Sequence, residues 1–467
     1  MKPTRPGSGS WQSTVSGTSP KLAGAMEAAI AGAAEVGRVG RRLFHRLWDP
    51  EPVNDRVTNE PVWCLGYSYV LDTKTYGSPH PAANTPPAEN ADISPGSSAA
   101  RSVPDTPPES IASSFDSSLA YEDPGQDGGW PPAFLDDFES RIWMTYRSAF
   151  EIIPRSVDPK AAASLSLSMR FKTLVDQTGF SSDTGWGCMI RSGQSLLANA
   201  ISIERLGRDW RRSIDPEAER EVMSLFADDP RAPYSLHNFV KHGAVACGKY
   251  PGEWFGPSAT ARCIQALANQ HEKSLRVYST GDLPDVYEDS FMAVAKPDGQ
   301  GFNPTLILVC TRLGIDKINH VYHEALISTL QMPQSIGIAG GRPSSSLYFV
   351  GAQGQWLFYL DPHHPRPALP YRENPKYYTV EEMDSCHTRR LRSLHVEDMD
   401  PSMLIGFLIK DEEDWDVWKS SVKHVQGKAI ITVSPHDPER GLGSGRAEAI
   451  DEVETLSDDD ADTILEA

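Results

Sequence analysis

Cysteine is scarce in this chain. There are six in 467 residues, at positions 64, 188, 247, 263, 310 and 386, and no two form a Cys-x-x-Cys pair. The scarcity excludes a disulfide-stapled scaffold, and the spacing excludes a zinc ribbon or a dithiol redox motif. With no secretory signal at the N-terminus, a reducing, cytoplasmic location is expected. Long apolar runs are also missing, since the stretch around Leu306–Cys310 is far too short to span a bilayer. Basic charge is in deficit, with 44 Lys and Arg against 63 Asp and Glu and a formal net charge of −19. That balance excludes nucleic acid and anionic membrane as electrostatic partners, so any membrane contact is expected to be indirect. Hydrophobic residues reach only 39%, which implies that part of the chain does not pack.

The non-packing parts are readable from composition. Residues 1–58 form an N-terminal extension, mostly disordered, with a candidate helix at 21–48. In that helix Leu22, Met26, Ile30, Ala33, Val36, Leu43 and Leu47 recur at roughly helical spacing, and Arg38, Arg41, Arg42 and Arg46 cluster at its end. A docking helix and an interfacial membrane helix both fit, and Glu27 and Glu35 favour the former. A folded domain is expected over 59–434, interrupted by a low-complexity insertion at 77–130. An acidic tail follows at 435–467. Within the domain, helical patterns cover 137–150, 188–204, 236–246, 258–271 and 316–331. Strand patterns cover 304–310, 334–339, 346–352, 355–361, 404–410 and 429–434, so the main sheet belongs to the C-terminal half. Gly337-Ile-Ala-Gly340-Gly341 reads as a turn. The Gly441–Arg446 glycine run lacks the strand and helix that a phosphate loop needs.

Two segments carry chemistry. In Asp183-Thr-Gly-Trp-Gly-Cys188-Met-Ile-Arg191, cap-forming residues and two glycines precede a helix whose buried side is Met189, Ile190, Leu196, Leu197 and Ile201. Cys188 then stands at a helix N-terminus, where unpaired N–H groups and the dipole acidify a thiol and can hold an oxyanion. A buried, inert cysteine is the competing reading. In Leu357-Phe-Tyr-Leu-Asp361-Pro-His363-His364, an apolar strand ends in an acid and an imidazole on the same face. Pro362 keeps Asp361 extended. This suits a base and its orienting carboxylate, either directly bonded or lining one pocket in parallel. A solvated strand-end turn is the alternative. A metal site built from Asp361, His363, His364, His320 and His323 lacks zinc-binding spacing, and the two last histidines read as surface residues of a helix. No metal or cofactor is expected.

Taken together, these segments resemble the autophagins, the autophagy-related cysteine proteases. The likeness runs from about Glu60 to Lys423 through EPVWCLG (60–66), RIWMTYRSAF (141–150), SDTGWGCMIRSGQ (182–194), LGRDWR (206–211), GEWFGPS (252–258), MPQSIGIAGGRPSSSLYFVG (332–351) and YLDPHH (359–364). The resemblance implies an α/β (α+β) papain-like core with a small auxiliary domain. It implies Cys188 as nucleophile, His363 as base, Asp361 as orienter and Tyr146 as oxyanion donor, although local pattern alone makes Tyr146 a helix aromatic. It implies a regulatory loop at Arg342, Pro343, Ser344 and Ser345 that covers the groove. It also implies a partner: an autophagy-related ubiquitin-like modifier, free and conjugated to phosphatidylethanolamine. At His271-Glu272-Lys273 an aromatic wall of the groove is expected and absent. The segment Tyr377-Tyr-Thr-Val380 matches a modifier-docking motif only loosely, and a surface loop explains it as well.

Overall fold

In the computed structural model, the described residues are 51–54, 60–70 and 128–438, apart from 167–168, 171–177, 213, 300 and 343–344. The candidate helix at 21–48, most of the 77–130 insertion and most of the tail lie outside them. The boundaries drawn from composition shift at two places. Asn54, assigned to the extension, is buried and bonds the Gly128 and Gly129 carbonyls. Trp130, assigned to the insertion, is buried and donates its indole N–H to the Pro52 carbonyl at 2.8 Å.

In chain order, hairpin strands β1 (Val62–Cys64) and β2 (Tyr67–Tyr69) lead to helix α1 (Pro132–Glu139). Strands β3 (Arg147–Pro154) and β4 (Gly179–Ser182) follow, then four helices: α2 (Cys188–Leu206), α3 (Pro216–Ser224), α4 (Leu236–Ala246) and α5 (Pro257–His271). Next come β5 (Arg276–Ser279), β6 (Asp285–Tyr287), α6 (Glu288–Ala295), β7 (Thr305–Arg312) and α7 (His323–Gln331). The chain continues through β8 (Ser335–Arg342), β9 (Ser345–Gln353), β10 (Trp356–Leu360), β11 (Arg366–Pro367), β12 (Ser393–His395) and β13 (Ser402–Ile409). Helix α8 (Glu412–Lys423) and β14 (Thr432–Ser434) close it.

The main sheet runs β12-β10-β9-β8-β13-β7-β5, with β1 paired to β9 and β2 beyond it. Seven of these nine strands follow Arg276, which places the sheet in the C-terminal half as the sequence pattern suggests. Both faces are buried, so the strands read as nearly continuous apolar runs. Along β7, Leu306, Leu308 and Cys310 join one core with α2 and α5. Ile307 and Val309 join the other, with α6, α7 and the Trp415 and Trp418 rings of α8.

One helix expectation fails. The helix over 137–150 stops at Glu139, and the rest is a loop entering β3. Apolar spacing there is helical, but the backbone groups find distant partners. Ile142 N–H donates to the Asn199 side chain at 3.0 Å, Met144 N–H to Ser195 Oγ at 2.9 Å, and Trp143 N–H to the Cys386 carbonyl at 2.8 Å. Those bonds replace the helical ladder.

Candidate active site

Cys188 is the first residue of α2, and Gly187 caps it. The preceding turn is closed by Trp186 and Gly187 N–H groups donating to the Asp183 carbonyl at 3.1 and 2.9 Å. A Cβ at position 187 would lie 2.7 Å from Asp183 Oδ2, so the turn requires glycine. Despite the two small residues before it, the sulfur is covered, since Cys188 is only 2% exposed.

β10 delivers the second segment. Asp361 Oδ1 accepts from the His363 backbone N–H at 2.9 Å and stands 2.6 Å from His363 Nδ1. The i, i+2 pair therefore bonds directly. The Asp361 carbonyl is held by the Trp143 indole N–H at 2.8 Å, and Arg392 and His364 approach its second carboxylate oxygen at 3.9 and 3.8 Å. His363 in turn hydrogen-bonds Cys188. Burial alone would lower the His363 pKa, but its bonds to Asp361 and Cys188 and their charges outweigh burial and raise it to about 9. Burial would raise the Cys188 thiol. The hydrogen bond to His363 and its charge, the Ser346 N–H and the Tyr146 hydroxyl prevail and bring it below the ordinary thiol value. Burial likewise opposes ionisation of Asp361, and His363 more than compensates, holding it well below the usual carboxylate range. The arrangement favours a thiolate–imidazolium pair, the reactive form of a cysteine nucleophile.

Tyr146 joins these residues through pairing that spans more than two hundred residues. Its N–H donates to the Pro362 carbonyl at 2.8 Å, its carbonyl accepts from Arg366 N–H at 2.9 Å, and β3 pairs in parallel with β11. Its ring meets the His363 ring edge-on at 5.2 Å, and its hydroxyl bonds Cys188. Burial, Cys188 and the Asp183 charge push its pKa up, so it remains a phenol and a donor.

The β8–β9 hairpin lies against this group. Arg342 and Ser345 pair as its last strand residues, while Pro343 and Ser344 lie outside the described residues. Ser346 N–H bonds the Cys188 sulfur, Ser346 Oγ reaches Ser192 Oγ at 3.0 Å, and Ser345 Oγ stands 3.3 Å from His363 Nε2. Gly337–Gly341 is strand, not turn. A Cβ at Gly341 would fall 2.1 Å from the Ser345 carbonyl oxygen, so that glycine serves close strand approach.

The remaining residues singled out from the sequence fall elsewhere. Glu272 is buried and paired with Arg205 at 2.5 Å. Arg205 is seventeen residues along α2 from Cys188, roughly 26 Å at 1.5 Å per residue, so His271–Lys273 forms no wall of this groove. The exposed ring nearer the site is Trp254, in a turn whose Gly252 lies against Phe180, itself packed on Trp186. Sequence reading did not single it out. Tyr377 and Val380 are exposed, but Tyr378 is buried and Thr379 caps a short helix, so this segment is not an extended motif. His323 is buried, not a surface histidine. Among the described residues, no cluster of three or more His, Cys, Asp or Glu side chains is arranged to hold a metal, and no helix is long and apolar enough to cross a membrane.

The peptidase C54 catalytic domain matches residues 131–421, which contain all four residues gathered here. The chain belongs to this family, the autophagins. A probable cysteine protease ATG4 of Podospora anserina is 70% identical, with the whole of both chains covered. Cysteine protease 1 of Neurospora crassa is also 70% identical, over 100% of this chain and 99% of its own. A probable cysteine protease ATG4 of Chaetomium globosum is 74% identical over 94% of this chain and 100% of its own. The protein is thus an autophagy-related cysteine protease with a papain-like α+β fold.

Proposed function

We propose that this protease cleaves the peptide bond after a C-terminal glycine of an autophagy-related ubiquitin-like modifier, and that it also releases the modifier from phosphatidylethanolamine. The observation that carries the reading is the chain Asp361–His363–Cys188 at a helix N-terminus, with a 2.6 Å Asp361–His363 contact and the Tyr146 hydroxyl on the sulfur. The Cys188 thiolate attacks the glycine carbonyl. The oxyanion is held by the Tyr146 hydroxyl and the Cys188 N–H. The His363 imidazolium gives its proton to the departing amine, leaving a thioester. Water then attacks, giving its proton to His363, and the thiolate departs. A peptide amine and the lipid headgroup amine are equivalent leaving groups, so one site serves both substrates. Arg342, Pro343, Ser344 and Ser345 form a gate over this site in the same reading, and the contacts of Ser345 and Ser346 with His363 and Cys188 support it.

Incubation of the full chain with a modifier precursor, followed by mass measurement, tests the specificity. A product ending at the glycine is expected. The Cys188→Ser variant should bind the precursor and leave it intact, because a hydroxyl is not ionised in this site. A different cut, or cleavage by that variant above a few per cent of the parent rate, would refute the assignment.

A further inference from the structure

Behind the reacting groups lies a buried ionic network that the proposed chemistry does not use. Asp183 has no exposed surface. Its Oδ1 accepts from the backbone N–H of Arg147 at 2.6 Å, and its Oδ2 accepts from Arg191 Nε at 2.6 Å. Arg147 is the residue after Tyr146, and Arg191 is on the first turn of the Cys188 helix. The Asp183 backbone adds to this, since its carbonyl closes the turn before Cys188 and its N–H donates to the Arg147 carbonyl at 3.3 Å. The network continues outward. Arg191 Nη1 meets Asp228 Oδ1 at 2.8 Å, and Asp228 Oδ2 accepts from Leu369 N–H at 2.8 Å, just beyond β11. One chain of bonds therefore touches the segments that carry the thiol, the phenol and the imidazole.

Buried ionic networks add little net stability compared with apolar packing, because desolvation offsets their attraction. What this one supplies is geometry. The strand start at Arg147 and the helix start at Cys188 come from distant parts of the chain, and a single carboxylate binds both through separate oxygens. If Asp183 moves, the Tyr146 hydroxyl moves relative to the sulfur, whereas the His363–Asp361 bond, made within a single i, i+2 segment, keeps its own geometry.

We infer that Asp183 is a positioning residue for the protease reaction, setting the Tyr146 hydroxyl at the place where the oxyanion forms over Cys188. This rests on Tyr146 being the oxyanion donor. The two claims separate in a double-mutant cycle on the full chain, with kcat and KM measured on the modifier precursor. Tyr146→Phe alone should lower kcat by about tenfold to a hundredfold. No loss would overturn the oxyanion reading itself. Asp183→Asn keeps an acceptor for one donor but turns an amide N–H₂ against the other. It should lower kcat about thirtyfold with KM within about twofold, yet less than about threefold once Tyr146→Phe is present. The same fold loss in both backgrounds, or a loss carried by KM, would show a general structural role and overturn the proposal. The rate of Cys188 alkylation by iodoacetamide against pH supplies a second readout. Because the Tyr146 hydroxyl helps to lower the thiol, the midpoint should rise in Asp183→Asn by no more than it does in Tyr146→Phe, and a larger rise would place the effect on the thiolate instead. Should that variant fail to fold, Arg191→Gln keeps the Asp183 bond to the Arg147 N–H and cuts the tie to the helix together with the Asp228 link. A kcat loss of about tenfold that disappears in the Tyr146→Phe background is expected of it, and persistence of the loss refutes the inference.

Discussion

Replacing Asp361 by Asn removes one charge and leaves the shape of the site. The structure sets the size of the effect. His363 stands at about 9 against an ordinary 6.5, despite burial that pulls the other way. That difference is worth about 3 kcal/mol in favour of the imidazolium. Asp361, 2.6 Å from Nδ1, is the leading cause of the rise and Cys188 the next. Without the carboxylate, burial is opposed by Cys188 alone, and His363 should fall to or below its ordinary value. The thiolate–imidazolium pair then collapses to neutral thiol and imidazole at about pH 7. An Asn amide can also present its N–H₂ to Nδ1 and force the wrong tautomer. The expected loss in kcat is on the order of a hundredfold or more. Initial rates on the modifier precursor, and the pH profile of iodoacetamide alkylation of Cys188, read the two consequences separately. The alkylation midpoint should rise together with the fall in kcat. A variant with near-normal kcat and an unmoved midpoint would show that Asp361 is a structural strand-end residue and that the electrostatic argument is wrong.

Three further outcomes follow from the same site. Because the folded-state pKa of His363 is raised, its contribution to stability is present below about 6.5 and disappears as pH rises through about 9; kcat/KM should share an alkaline limb near that value, and a limb near neutrality would contradict the ion pair. Hydrogen peroxide should convert the Cys188 thiolate to a sulfenic acid, the hydroxide released taking a proton from His363 to leave as water, with activity returned by dithiothreitol; loss that dithiothreitol does not reverse at low peroxide, or no loss at all, would count against a reactive thiolate. Pro343→Gly should raise activity on short glycine-ended peptides more than on the whole modifier and should speed alkylation of Cys188; equal effects on the two substrates, or none, would leave the hairpin a plain connector.

The nucleophile helix was legible because its signals are local. Cap formers, a glycine turn and an apolar face all lie within about twenty residues, and the helix runs Cys188–Leu206 against an expected 188–204. Asp361 and His363 were legible for the same reason, since a strand pattern and a proline fix their side. Tyr146 was not. Its segment carries helix-like apolar spacing, and what straightens it is the side chains of Ser195 and Asn199 and the carbonyl of Cys386, none of them near in sequence. The hairpin glycines misled for a different reason. Glycine marks turns and close backbone approach alike, and only the pairing of Gly341 with Ser346 shows which applies.

That pairing bears on selectivity. The Cys188 thiol is lowered below its ordinary value although the residue is only 2% exposed, and the Ser346 N–H on the hairpin is one of the groups that lower it. On the proposed function, a substrate carbonyl must reach the same sulfur, so the hairpin would have to shift before acylation, and the sulfur would lose that interaction as it does. The loss makes the sulfur less stabilised and more nucleophilic at the moment the carbonyl arrives. Opening has a cost, and a short peptide buries too little surface to offset it. A folded modifier gripping the protein outside the groove can draw on binding energy remote from the scissile bond. On the proposed function, the hairpin would discriminate among substrates that all end in the same glycine: it would set an opening cost that only the larger partner meets and would shield the sulfur from solvent between turnovers.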